Sequence, residues 1–200
     1  MFYWNERGKK TMKKTISILL MIAMLLVAAV AVADTELATP SKTTDDLAEV
    51  TATVANPVEG KNPTFSVEAE ASSEQAAAAE AELTKAQEAG TLENYFGNET
   101  ASAIKEVLGD GPISLDELLP LVAADYEEGM GDVAVSGNFA TPYTQGEKVA
   151  VLIGIVENNQ VAWTVYEGIG QADGSVKFVV DAATALKIQN GTALVAVCSK

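Results

Sequence analysis

The chain has no histidine, one cysteine and few aromatic residues, which make up 6% of its 200 positions. Without histidine there is no imidazole general base, no Ser-His-Asp or Cys-His nucleophile pair and no His-ligated metal. A lone cysteine, Cys198, can form neither an intramolecular disulfide nor a cysteine-rich metal site. Positive charge is also scarce, with 13 Lys and Arg against 28 Asp and Glu. A surface this negative repels phosphate backbones and anionic headgroups, which argues against nucleic acid and against peripheral membrane binding. No P-loop, Gly-x-Ser-x-Gly or His-Glu-x-x-His is present, and Gly168, Gly170 and Gly174 do not follow the dinucleotide spacing. No catalytic residue, cofactor or metal ligand is therefore expected.

What is present begins with an export pattern. Met12-Lys13-Lys14 leads into an uncharged apolar run from Ile16 to Ala33 that ends Ala31-Val32-Ala33. A short positive segment, an apolar segment and a small-x-small ending are the parts of a secretory signal peptide, with cleavage between Ala33 and Asp34. The segment resembles Gram-positive secretion signals. The run is marginal for a membrane span, which needs about 20 residues, so an uncleaved anchor is the alternative to release outside the cell. Residues 1–11 place aromatics ahead of the positive segment. Glu6-Arg7-Gly8 can be encoded by a purine-rich stretch like a ribosome-binding site, so one explanation of residues 1–11 is a misassigned start ahead of Met12. Membrane contact is then transient, through residues 1–33 alone.

Residues 1–33 hold five of the basic residues and one of the acidic ones, so the net charge of −15 becomes −19 for the rest of the chain. Most of it lies early: residues 34–130 carry 21 acidic and 4 basic residues, residues 131–200 only 6 and 4. Residues 34–70 are rich in Thr, Ala, Glu, Asp and Pro, with Phe65 their one aromatic, and bury too little apolar area to offset the entropy of ordering. They are predicted to form an acidic disordered tether. Within them Val50–Val54 and Phe65–Val67 alternate like strands and could add edges to a sheet.

Residues 71–130 are predicted to be helical and to pack on a sheet. Residues 73–89 are strong helix formers between a Ser72/Gln75 capping box and Gly90. Residues 92–96 suggest a short turn or helix, and Asn98 can cap a further helix to Leu108 with Gly109 after it. Ser114 and Glu117 form another capping box, and Pro120 stops that helix early.

From Asp132 the period changes to two, predicting strands at 132–140, 148–156, 160–167, 175–180 and 192–198. Asn158-Asn159, Asp173-Gly174 and Asn190-Gly191 supply turns, and residues 181–188 suggest a short helix or turn with Asp181 as its cap. Val149 to Val156 has no polar side chain, so that strand should be central and buried on both faces. Val161, Trp163 and Val165 share a face and are placed like core. The expected fold is α+β, with short N-terminal helices followed by an antiparallel sheet or sandwich of about five strands. In strand spacing, residues 131–200 resemble the Ig-like modules of bacterial surface and secreted proteins, which implies a β-sandwich with a binding or structural role.

Two acidic stretches are candidate sites. Asp110-Gly111-Pro112-Ile113-Ser114-Leu115-Asp116-Glu117 resembles the second half of an EF-hand or dockerin calcium loop. Its first half departs from that pattern: Glu106 stands where Asp belongs and Leu108 where an oxygen ligand belongs. A Gly-Pro turn followed by the Ser114/Glu117 cap is the expected structure. Asp125, Glu127, Glu128 and Asp132 are expected to be a solvated turn. The expectation for function is an exported, acidic, non-enzymatic extracellular binding or structural module with an unknown extracellular or cell-surface partner. The alternative is a carboxylate-dependent extracellular hydrolase.

Overall fold

A computed structural model describes residues 34–40, 49–67, 73–158 and 160–200. Ala33 lies outside the described residues; Asp34 is the first of them and is exposed. The elements in chain order are β1 (Leu37–Ala38), β2 (Glu49–Val54), β3 (Thr64–Val67), α1 (Ser73–Ala89), α2 (Leu92–Leu108), β4 (Ile113–Ala124), β5 (Val133–Asn138), β6 (Lys148–Glu157), β7 (Gln160–Gly170), β8 (Val176–Val180), α3 (Ala182–Asn190) and β9 (Thr192–Ser199). The fold is mixed and mostly β, with nine strands instead of five and with helices that follow three strands instead of opening the domain.

The strands form one sheet in the order β1-β4-β9-β6-β7-β8-β5-β2, with β3 beside β4. All pairings are antiparallel except that of β1 with β4. The sheet curls, bringing β2 against β3. Its concave side encloses one apolar cluster, including Val54, Phe65, Leu119, Val151, Phe178 and Val195. Helices α1 and α2 cover the opposite side of β4, β9 and β6 with a second cluster that includes Leu92, Phe96, Ile104, Leu118, Leu152 and Leu194. Strand β6 lies between β9 and β7 and contributes to both clusters. That is why it shows no alternation of apolar and polar residues.

Two stretches depart from the sequence expectation. The first is the tether. Residues 49–54 pair with β5 and residues 64–67 with β4, so these parts of 34–70 belong to the sheet. Val54, Phe65 and Val67 are buried. Few apolar residues suffice here because a sheet edge needs only one buried face per strand, and the backbone ladder supplies the rest.

The second is residues 113–124, expected to start as a helix and found as β4. A bulge at Asp116 interrupts the pairing with β9 between Leu115 and Glu117. Before it Ile113 and Leu115 face the helices; after it Leu118 does, while Leu119, Leu121 and Ala123 face the concave core. One inserted residue swaps the two faces and destroys the two-residue period in the sequence. Pro120 falls between the β1 contact at Ile113–Ser114 and the β3 contact at Leu121–Ala124, where β4 has no strand partner on that side among the described residues. A residue without an N–H is tolerated at such a place.

Elsewhere local chemistry sets the boundaries. Thr91 caps α2, its side chain accepting from the Asn94 N–H at 3.3 Å. Gly97, at φ 79°, breaks α2 into the two pieces expected on either side of it. Asp181 caps α3 by accepting from the Thr184 N–H at 3.0 Å. Ser72 lies outside the described residues.

Candidate functional site

Two recesses stand out on the surface of the described residues. The first, of about 260 Å³, lies where α1, the start of α2 and the start of β7 meet. Along α1, Glu82 and Lys85 stand three residues apart and form an ion pair. Glu82 is only 7% exposed. The Thr91 cap and the Gly97 break set the short first piece of α2, which carries Asn94, Tyr95 and Phe96 into the recess. Strand β7 adds Gln160, Val161 and Trp163.

The rings form a connected wall. Tyr95 and Phe96 have centroids 4.4 Å apart, and Phe96 meets Trp163 edge to face at 5.5 Å and 77°. Trp163, expected in the core, is only half-buried and packs at the rim of the helix-facing cluster. The Tyr95 hydroxyl lies 3.5 Å from Glu82 Oε2. Burial first, then the Glu82 charge, pushes the Tyr95 hydroxyl well above its ordinary pKa, so it stays a neutral donor. The charges of the recess, one Glu and one Lys, cancel within their own pair.

The second recess, a groove of about 620 Å³, follows from a split in the sheet. Strand β7 pairs with β6 along its length but with β8 only at Ile169 and Gly170. The Gly170 N–H donates to the Glu147 carbonyl at 2.8 Å, and the Gly146 N–H to the Gly170 carbonyl at 2.9 Å. Backbone groups of an antiparallel strand point alternately to either side. In the unbroken β6–β7 register, Val161, Trp163, Val165 and Glu167 therefore turn their N–H and C=O groups away from β6. No described strand pairs with that edge before Ile169. Thr51, Ser136, Glu167, Lys177 and Val179 line the groove beside it. Val179 is 54% exposed. Across the split the Tyr166 hydroxyl donates to Asp181 Oδ2 at 2.6 Å.

The acidic stretches singled out in the sequence line neither recess. Glu117 lies in β4, so the Ser114/Glu117 pair is not a helix cap. The bulge brings neighbouring Asp116 and Glu117 to one loop: the Tyr143 hydroxyl donates to Asp116 Oδ2 at 2.9 Å, and the Thr141 N–H to Glu117 Oε1 at 3.2 Å. Both carboxylates thereby fasten the β5–β6 connection over the core. In the second cluster Glu127 pairs with Lys61 at 2.7 Å, and Asp132 accepts from the Ala182 N–H at 3.1 Å. Among the described residues no group of three or more Asp, Glu or Cys is placed to hold a metal. Cys198 is fully buried, and burial pushes its thiol far above the ordinary range.

Nothing local in the sequence marks Glu82, Lys85, Asn94 or Tyr95 as neighbours of Trp163. Together with Trp163 they come from three elements, and only the packing of α1 and α2 on the sheet joins them. The free edge of β7 was equally invisible, since strand spacing does not reveal which strand lies beside which. No family model, no curated protein and no solved structure matches this chain.

Proposed function

We propose that the chain is an exported, acidic, non-enzymatic module that binds an extended segment of an extracellular or cell-surface protein by strand addition at β7. The observation that carries this is the β7 edge, with four outward-turned residues beside a groove and an exposed Val179. A strand with unpaired backbone groups is a template for another strand. The net charge of −19 from Asp34 onward favours a partner with basic residues flanking the added strand and disfavours a second copy of this chain. Export is supported by the apolar segment ending at Ala33, and the compact unit that begins at Asp34 starts where cleavage would leave the chain. No helix among the described residues is long and apolar enough to cross a membrane. A hydrolase of the carboxylate-pair type needs two acids across a cleft, about 5–9.5 Å apart. Each recess offers one, Glu82 or Glu167, which favours binding over hydrolysis.

Amide hydrogen exchange tests the proposal. In the free protein the amides of Val161, Trp163, Val165 and Glu167 should exchange fast, while those of Ala162, Thr164 and Tyr166 are protected by β6. An alternating Lys-Val peptide should protect the four fast amides, and the same peptide N-methylated at alternate positions should not. Four amides already slow in the free protein, or unaffected by the peptide, would overturn the proposal.

A further inference from the structure

We infer that the recess walled by Tyr95, Phe96 and Trp163 is a separate binding site for a single neutral sugar ring. Its volume of about 260 Å³ is below the roughly 300–1,000 Å³ typical of drug-sized ligands. It therefore suits one ring-sized group. Phe96 is buried behind the wall, and the half-buried Tyr95 and Trp163 rings packed against it leave aromatic surface on which the C–H face of a ring can lie. The rest of the lining is polar and varied. Lys85 is a donor, the Tyr95 hydroxyl, whose one hydrogen goes to Glu82, is an acceptor, and the exposed Gln160 amide is both. The Asn94 Nδ2 donates to the Ala89 carbonyl at 3.3 Å, which leaves the oxygen of that amide as an acceptor.

Electrostatics narrows the class. Glu82 is buried in the lining, but its charge is already met by Lys85 and by the Tyr95 hydroxyl. A cationic ligand would have to displace Lys85 from Glu82. An anionic ligand would meet a buried carboxylate in a strongly negative protein. A neutral ligand with an apolar face and a polyhydroxylated rim pays neither cost. A pyranose has that combination, and the mix of amide, ammonium and hydroxyl groups can pair with several of its hydroxyls at once.

The site can be tested on the full chain carrying Trp4→Phe, which leaves Trp163 as the reporter of the two tryptophans. Glucose, galactose and N-acetylglucosamine are titrated against Trp163 fluorescence, with choline and gluconate as cationic and anionic controls. At least one neutral sugar should produce a saturable change in the millimolar range, as expected for a ligand this small. Gln160→Ala and Asn94→Ala alter exposed side chains, and each should weaken that binding about tenfold. Circular dichroism would confirm that both variants stay folded. The inference is overturned if no neutral sugar saturates, if choline or gluconate saturates the site while the sugars do not, or if both variants bind the sugar like the parent. Peptide binding at β7 is scored here by amide protection at Val165 and Glu167, which do not line this recess, so failure at one site leaves the other interpretable.

Discussion

Trp163 lies over Gly154, its partner in the neighbouring strand. A Cβ placed on Gly154 would come within 2.6 Å of the indole and 2.5 Å of Val161. The glycine is thus the seat of the indole, and through it of the aromatic wall. Gly154→Ala should force the ring outward and cost about 1–3 kcal/mol, the usual penalty of overpacking. Chemical denaturation would measure the loss, and a red-shifted Trp163 emission would show its cause. An unchanged spectrum and stability would mean that the ring does not rest on Gly154.

Phe65 in β3 is 3% exposed and sits in the concave core. Phe65→Ala should cost about 3–5 kcal/mol. For a domain of this size that corresponds to a fall of roughly 6–20 °C in melting temperature. A truncation that removes residues 34–70 should be more damaging still, since it strips β1, β2 and β3 from both edges of the sheet. Calorimetry on the two proteins checks this, and a truncated form as stable as the parent would show that these strands contribute nothing.

Asp181 links acid stability to the cap of α3. Burial alone would raise its pKa, but hydrogen bonds from the Tyr166 hydroxyl and from Thr184 outweigh burial and hold it below the ordinary carboxylate range. A carboxyl depressed in the folded state contributes stability above its unfolded pKa of about 3.9 and loses it as pH falls through the folded value. Asp181→Asn should therefore be less stable than the parent at pH 6, with the gap closing below about pH 4. The amide oxygen can keep the cap on the Thr184 N–H but its NH2 cannot accept from Tyr166 and Thr184 as Oδ2 does, so the pH dependence of the gap, and not its size, reports the charge. Glu93 has the same sign: burial opposes it, while Lys105 and the Thr35 N–H hold it down. Urea titrations across this pH range would decide, and parallel stability curves would refute the linkage.

Cys198 is buried between β4 and β6, opposite Leu115 and Ala150. Burial raises its pKa, and the nearby Asp116 charge adds to the shift. The thiol is therefore protonated and enclosed at neutral pH, and the thiolate is the reactive form. A thiol reagent should leave the native protein unmodified and react fully in denaturant. Rapid labelling of the folded protein would show that β9 opens locally.

Several features were legible in the sequence because they are local. The strands from 133 onward follow alternation and turn residues, and the Asp181 cap and the break at Gly97 follow side-chain chemistry within one or two turns. The two-sided burial of β6 was readable from its unbroken apolar run. The strand character of 113–124 was hidden by the bulge at Asp116, which moved Leu118 and Leu119 out of the alternation begun by Ile113 and Leu115. Phe65 gave too small a signal, since one aromatic in an acidic stretch does not reveal that a sheet edge waits to pair with it.

The sequence by itself determined the composition limits, the helices of 73–108 and the five strands after residue 132, because each depends on neighbours along the chain. Tertiary structure alone decided that β2 and β3 join the sheet, that β7 parts from β8 after two residue pairs, and that Trp163 meets Tyr95 and Phe96 in a recess that Glu82 also lines. Those contacts join residues distant in sequence. The free energy of pairing one strand edge and covering one sheet face belongs to both partners together, and neither segment encodes it alone.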